Sequence, residues 1–435
     1  MGLGRLAGIA LILSLAALAA AALRLRDRAG LRKGNPRHWR DLPAREEPAE
    51  PRLLRFLDAS NTPAWGLVVA MRDGYPQAAL PLALALPGLA GSFDALLDRD
   101  GFSAAERLHL AWSAGQIPAS QLVAWERSAL ADRVLPPLDT TIEQLESGQR
   151  AVLGVGLNYD DHAEDAGAEA DEDGFLFAKL AAPTSAYAAV PLGPARRAGL
   201  PFAELVDYEV ELAFVLLDEV ALDALPDADT LAGRIAWMQA NDVSDRWPIL
   251  EQGDAGFTLA KSRFGYLPLG PWMVHGRHLD PRTAQGGRDE VELSLRVEEA
   301  EPHAAGSFRQ HASSREMVRG PRAILELAAR VWRQSARCDA AGVSRGIVTL
   351  VGGRPALPRG TLVLTGTPGG TAIAAPQGLD KVRLLLLGDL SVTRARLAYA
   401  EHCIQHRREM GFLSPGDVVD ATIGRLGRQR WEVRR

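Results

Sequence analysis

Beyond residue 137 the chain alternates short apolar runs with Gly/Pro turns: AVLGVGL, VELAFVLL, VELSLRV and GTLVLTG. Runs of this length bounded by turn residues predict strands, and few long helical patterns separate them. The texture predicts a mixed α/β, β-rich domain over 138–435 rather than a doubly wound one. Residues 60–137 are richer in Leu and Ala. Within them FSAAERLHLAWSAG has apolar residues at helical spacing, with Ser103 as the expected N-cap and Gly115 as the stop. This stretch contains no cluster suited to chemistry and is expected to form a small N-terminal domain, bounded by Pro136-Pro137. Residues 35–59, rich in Pro, Arg and Glu, are expected to be a linker.

The N-terminus follows a different pattern. Leu6 to Leu23 is eighteen residues without a charge, which at ~1.5 Å per residue covers most of a ~30 Å hydrocarbon layer. Seven Lys/Arg against one Asp follow it in RLRDRAGLRKGNPRHWR. Dense positive charge just after an apolar run opposes export. Residues 1–34 are therefore expected to be a single-pass membrane anchor with its basic flank, leaving the remainder in the cytoplasm. The competing readings are a cleaved signal peptide, with export, and a buried core helix.

Charge and cysteine content exclude several classes. The 435-residue chain carries a formal net charge of −5, which gives nucleic acid no electrostatic reason to bind. Its two cysteines, Cys338 and Cys403, form no CxxC or Cys/His cluster, so neither a disulfide framework nor a zinc site is expected.

The chemistry concentrates in VDYEVELAFVLL. Read as a strand, it puts Asp207, Glu209 and Glu211 on one face of a segment otherwise headed for a core. Either that face is wet or something positive sits against it. NDVSDRW adds Asp242 and Asp245, FTLAKSRFGYLPLGPW places Lys261 among apolar residues where an ammonium needs a partner, and GVGLNYDDHAED sets His162 beside several carboxylates. The glycine-rich TGTPGGT loop lets backbone approach a ligand closely. Oxygen-only ligands suit a hard cation, Mg²⁺ or Mn²⁺ with Ca²⁺ as a further option. Glutamates at i and i+2 can both reach one ion.

GVGLNYDDHAED, FLFAKLAAPTSAY, VDYEVELAFVL, NDVSDRW, FTLAKS, FRQHAS, LVLTGTPGG and FLSPGDVVDATIGRLG occur in the order seen in the fumarylacetoacetate hydrolase family. The chain resembles that family from about residue 134 to 435. The resemblance implies rolled β-sheets around a divalent-metal site, a small 2-keto or 2,4-dioxo acid substrate and a homodimer. By position it implies Glu209, Glu211 and Asp242 as metal ligands and Lys261 beside metal and substrate. Arg246, Arg309, Gln310 and Thr367 match substrate-contact positions, and His162 matches the catalytic histidine. Asp207 is expected to support the ligands, and Lys179 to anchor its own loop outside the site. Two departures stand out. The glutamate expected three residues after the histidine is Asp165, with Glu164 next to it. An insertion, about 377–411, separates TGTPGG from FLSPGD; it is partly helical in pattern and has three open roles: covering the site, forming a dimer contact, or lying on a membrane.

The expected activity is metal-dependent hydrolysis of a C–C bond in an acylpyruvate or fumarylpyruvate, with His162 activating water and Asp165 or Glu164 orienting it. Oxaloacetate decarboxylation or keto–enol isomerisation on the same metal is the alternative enzyme reading. A membrane-tethered binding protein without chemistry is the alternative outside catalysis.

Overall fold

The computed structural model describes residues 46–166, 174–194, 202–300, 308–335, 349–351, 354–376, 382–384, 386 and 390–435. Strands β1 (Leu53–Leu57), β2 (Pro63–Arg72) and β3 (Tyr75–Pro81) form an antiparallel meander followed by helix α1 (Gly101–Ser113). Next come β4 (Val152–Gly156), helix α2 (Asp160–Ala166), β5 (Phe175–Ala178), β6 (Val210–Leu216) and β7 (Ile235–Asn241). Helices α3 (Trp247–Gln252) and α4 (Phe257–Lys261) lead to β8 (Trp272–His275), β9 (Glu292–Glu298), β10 (Phe308–Ser313) and helix α5 (Pro321–Ser335). The chain closes with β11 (Leu362–Leu364), helix α6 (Val392–Gln405), β12 (Val418–Ile423) and β13 (Gly427–Arg434).

The principal sheet has the order β3-β2-β1-β8-β7-β6-β11-β4-β5, and a second sheet has the order β10-β9-β12-β13. Strands β6 and β7 lie at the centre and are buried on both faces, which is why their sequences read as near-continuous apolar runs. Val210, Leu212, Phe214 and Leu216 pack into one core with Leu293, Leu295, Val419 and Trp431 of the second sheet. Ala213 and Val215, on the opposite face, pack with Met238, Leu364 and residues Ala104 and Leu108 of α1.

Several expectations are revised. Among the described residues no helix is long and apolar enough to cross a membrane, which overturns the membrane-anchored placement; the segment Leu6–Leu23 itself lies outside the described residues. Strand β1 falls inside the stretch read as a linker, with Arg52 to Phe56 buried; the flanking Pro, Arg and Glu hid the short apolar run LLRFL. The proline pair at 136–137 does not interrupt the sheet, because β1 pairs with β8 across it. Helix α1 starts three residues early, at Gly101, with Asp100 rather than Ser103 at the N-cap position and no side-chain cap hydrogen bond. Its end follows the sequence: Gly115 has φ 68°, and its N–H bonds to Trp112 O while that of Gln116 bonds to Ala111 O, the closure a left-handed glycine permits.

Topology brings the chemistry to one edge. β11 and β4 are parallel neighbours with Leu364 opposite Gly154, so the segments leaving their C-terminal ends, TGTPGG and GLNYDDH, emerge side by side. β6 is antiparallel to both β11 and β7, so it begins where they end. Glu209, just before β6, and Glu211, near its start, therefore meet Asp242, which follows β7. Antiparallel pairing of β5 with β4 sets Phe175 opposite Gly156 and Phe177 opposite Gly154. A Cβ on either glycine would lie within 2.3 Å of the facing ring, so both glycines give the rings room to lie across the strand.

Candidate metal centre

Glu209, Glu211 and Asp242 are buried, and a set of their carboxylate oxygens, one from each, lies within 4.8 Å of one another. The acidic face is dry, and the positive groups are present. Lys261 Nζ donates to Glu209 Oε2 at 2.6 Å and to Asp242 Oδ2 at 2.7 Å. Lys179 Nζ donates to Asp242 Oδ1 at 2.6 Å, and Arg246 Nη2 lies 2.6 Å from Glu209 Oε1. Arg246 Nε also donates to Asp207 Oδ2 at 2.8 Å.

The strand expected through Val206–Leu217 breaks between Asp207 and Val210, and the break turns Asp207 away from the ligand oxygens. Its carboxylate accepts from the backbone N–H groups of Tyr208, Ala372 and Ile373, tying the TGTPGG segment to this strand. Glu211 is the acid left without a cation among the described residues: its Oε2 accepts from Gly366 N at 2.8 Å.

Charge follows from these contacts. Burial raises the Glu209 carboxyl, but Lys261 and Arg246 outweigh it and hold the group below the usual carboxylate range. Burial, then Asp242 and Glu209, push Glu211 well above that range. Lys261 is raised because its carboxylates outweigh desolvation, whereas Lys179 is lowered because desolvation outweighs Asp242. Four acids, Asp207, Glu209, Glu211 and Asp242, face three cations, Lys179, Arg246 and Lys261, an excess of one formal negative charge when all are ionised, and Glu211 is the acid with no described cation paired to it. The residues fit a hard divalent cation: three convergent carboxylates, one of them lacking compensation.

Glu209, Glu211 and Lys261 form the floor of a cavity of about 720 Å³. His162, Asp165, Thr367 and Arg246 also line it. His162 is carried by α2, and its Nδ1 is buried without a hydrogen-bond partner among the described residues. Desolvation, aided by Arg246 and Lys261 against the opposing Glu209, pushes its pKa down to about 4, so the imidazole is neutral at neutral pH. The expected orienting pair is not made. Asp165 Oδ2 accepts instead from Gly370 N at 3.0 Å, and Glu164 is exposed and outside the cavity.

Gln310 is spent on the protein: its Oε1 accepts from Val210 N, and its Nε2 donates to Thr367 Oγ1 and Pro368 O. It positions Thr367, whose hydroxyl donates to Val210 O at 3.1 Å. Arg309 pairs with Glu299 and does not line the cavity, so neither Gln310 nor Arg309 is brought to a substrate position here.

Sequence reading left out Lys179, which is fully buried on Asp242. The signal was the one used for Lys261, a lone ammonium in an apolar run. It also missed the walls. Phe175, Phe177 and Phe257 form an aromatic cluster, with ring centroids 4.8 Å apart for Phe175–Phe257, and Lys261 Nζ lies 5.0 Å from the Phe177 centroid. Of the three roles open for the insertion, the structure displays the covering one: Val392, Ala395, Arg396 and Tyr399 of α6 line the cavity, and Tyr399 and Ala400 pack with Leu250 and Ile373.

Residues 151–434 match the family described as fumarylacetoacetate (FAA) hydrolase, C-terminal. Protein Rv2993c of Mycobacterium tuberculosis is 31% identical over 220 residues, which span 50% of this chain and 65% of that relative. An uncharacterised Archaeoglobus fulgidus protein is 33% identical over 124 residues, 28% of this chain and 45% of its own length. This chain thus covers less than two thirds of either relative. The fumarylacetoacetate hydrolase of the psychrophile Exiguobacterium antarcticum shares the fold, with a TM-score of 0.51 at 20% identity over 88% of this chain and 99% of that one.

Proposed function

The chain belongs to the fumarylacetoacetate (FAA) hydrolase family through residues 151–434, and from that premise we propose a divalent-metal-dependent hydrolase that cleaves the C–C bond of 2,4-dioxo acids, of acylpyruvate or fumarylpyruvate type, to pyruvate and a carboxylic acid. The observation that carries this reading is the buried triad Glu209, Glu211 and Asp242, whose two glutamates line an apolar cavity that a neutral histidine also lines.

Glu209, Glu211 and Asp242 would hold Mg²⁺ or Mn²⁺, which when bound supplies Lewis acidity to the substrate's carboxylate and 2-keto oxygens. The other steps belong to the chain. Neutral His162 accepts a proton from water through an unprotonated ring nitrogen, directing attack at the distal carbonyl. The C3–C4 bond then breaks, its electron pair leaving as the enolate of pyruvate, which takes up the proton at C3. Lys261, whose charged form its two carboxylates favour, stabilises the oxyanion that develops. Thr367, pinned by Gln310, sets the position of the TGTPGG backbone beside the substrate carboxylate. Phe175, Phe177, Phe257 and Tyr399 exclude bulk water and strengthen these charges.

One observation favours a second reading. With Asp165 engaged by Gly370, no carboxylate among the described residues is hydrogen-bonded to His162 Nδ1, and decarboxylation of oxaloacetate or keto–enol isomerisation on the same site requires no activated water. Product analysis separates the two. The chelator-treated protein, supplied again with Mg²⁺ or Mn²⁺, is incubated with acylpyruvates, fumarylpyruvate and oxaloacetate. Hydrolysis yields equimolar pyruvate and acid. Carbon dioxide or a tautomer alone selects the second reading, and turnover that survives complete metal removal refutes both.

A further inference from the structure

The cavity has a charged floor and an apolar wall, and at its rim one more cation. Val392, Ala395, Arg396 and Tyr399 follow the i, i+3, i+4, i+7 spacing of one helix face, and that face of α6 is turned to the cavity. Arg396 is exposed there. Its Nη1 lies where a Cβ on Gly253 would approach to 2.5 Å, so the guanidinium rests over the bare backbone at the end of α3, the opposing wall. Gly253 has φ 62°, so that bareness is matched to a backbone conformation side chains disfavour.

Arg246 and Lys261, the other cations lining the cavity, are neutralised by Asp207, Glu209 and Asp242. Arg396 makes no hydrogen bond or ion pair with any described residue. Among the described residues the acids that line the cavity are Asp165, engaged by Gly370 N, and Glu209 and Glu211 of the buried triad. An anion extending outward from the floor along the aliphatic and aromatic wall of Ile249, Leu250, Phe257 and Leu384 therefore meets at the rim a positive charge that no described acid compensates.

We propose that Arg396 reads a carboxylate at the far end of the substrate's acyl arm, so that the preferred 2,4-dioxo acids are dicarboxylates with an apolar middle. The inference rests on the 2-oxo-acid reading above and adds to it the specificity-determining residue. A planar guanidinium takes a carboxylate in bidentate fashion. Because Arg396 is solvent-exposed, the gain is modest, about tenfold in affinity.

The test uses 2-oxohexanoate and 2-oxohexanedioate, which differ only in the terminal carboxylate, titrated calorimetrically into the Mn²⁺-supplied full-length protein. The expected result is about tenfold tighter binding of the dioate by the wild type. The Arg396→Gln variant should bring the two acids within about twofold, and Arg396→Glu should favour the monoacid. Unchanged monoacid affinity in both variants reports an intact site. Equal affinity for the two acids in the wild type, or a dioate preference that persists in Arg396→Gln, overturns the role of Arg396 and leaves the 2-oxo-acid reading standing. Failure of the wild type to bind either acid overturns that reading and this one with it.

Discussion

Replacing Lys261 by methionine keeps the apolar stem and removes one charge from a place where two acids depend on it. Its Nζ lies 2.6 Å from Glu209 Oε2 and 2.7 Å from Asp242 Oδ2, with the acids 4% and 0% exposed. Removing one partner of a buried pair costs ~3–5 kcal/mol, because the remaining charge is stranded rather than because the pair was strong. At ~2.1 cal/mol/K per residue, a chain of 435 residues has an unfolding entropy of roughly 0.9 kcal/mol/K, so the cation-free variant should melt about 3–6 °C below wild type. A divalent cation should reverse part of this loss, since the two acids then have a new counter-charge. Differential scanning calorimetry of chelated and Mn²⁺-supplied protein reads both effects, and Mn²⁺ should raise the variant's Tm by more than it raises the wild type's. Turnover should nonetheless stay ~10²–10³-fold down, because the oxyanion loses its donor. A cation-free variant melting within about 1 °C of wild type, on the same entropy scale, would refute the claim that Lys261 compensates buried acids. An equal Mn²⁺ shift in both proteins would refute the claim that those acids bind the metal.

Other perturbations probe neighbouring groups. Glu211→Gln removes the uncompensated ligand while keeping its shape, and should weaken Mn²⁺ binding at least tenfold, on the scale of a lost charged ligand, by electron paramagnetic resonance titration. His162→Asn should lower kcat/KM by ~10²–10⁴ with little change in Mn²⁺ affinity, as expected for a group that moves a proton. Far from the cavity, burial, then Arg277 and His278, push the His275 pKa down to about 4. Between the unfolded value near 6.5 and about 4 the unfolded chain binds the extra proton, so stability rises with pH through that window and is lost as pH falls through it. The His275 share amounts to ~3 kcal/mol at most, and His275→Gln should remove it from the pH dependence of urea midpoints.

Parts of this design were legible without coordinates because they obey local rules. The period of two in VDYEVEL placed Glu209 and Glu211 together, and a lone lysine in FTLAKS announced that it needed a partner. The break after Asp207 was not legible, since it depends on how the TGTPGG segment packs across the strand. The buried role of Lys179 was announced by the same local rule, yet the choice between loop anchor and site rested on where β5 lies relative to Asp242. His162 and Asp165 share a helix face as their spacing allows, but the hydrogen bond goes to Gly370, from a segment more than two hundred residues away in sequence. Local spacing has no access to that competition. The insertion is the clearest case. Its helical pattern was visible, whereas the cavity it covers exists only once α3 and the TGTPGG segment stand beside it.

The charge inventory links the floor to the rim. With one formal negative charge among Asp207, Glu209, Glu211, Asp242, Lys179, Arg246 and Lys261, a divalent cation turns the floor to one net positive, and a single 2-oxo-carboxylate then brings it to neutrality. A second carboxylate on the same substrate finds no remaining compensation at the floor. It must stay hydrated or meet a cation elsewhere, and burying it without either would cost several kcal/mol. Arg396 is the cavity-lining cation that the described acids leave uncommitted. The same arithmetic predicts that Arg396 is dispensable for monocarboxylic acyl arms, which separates a role in substrate choice from a role in holding the fold together.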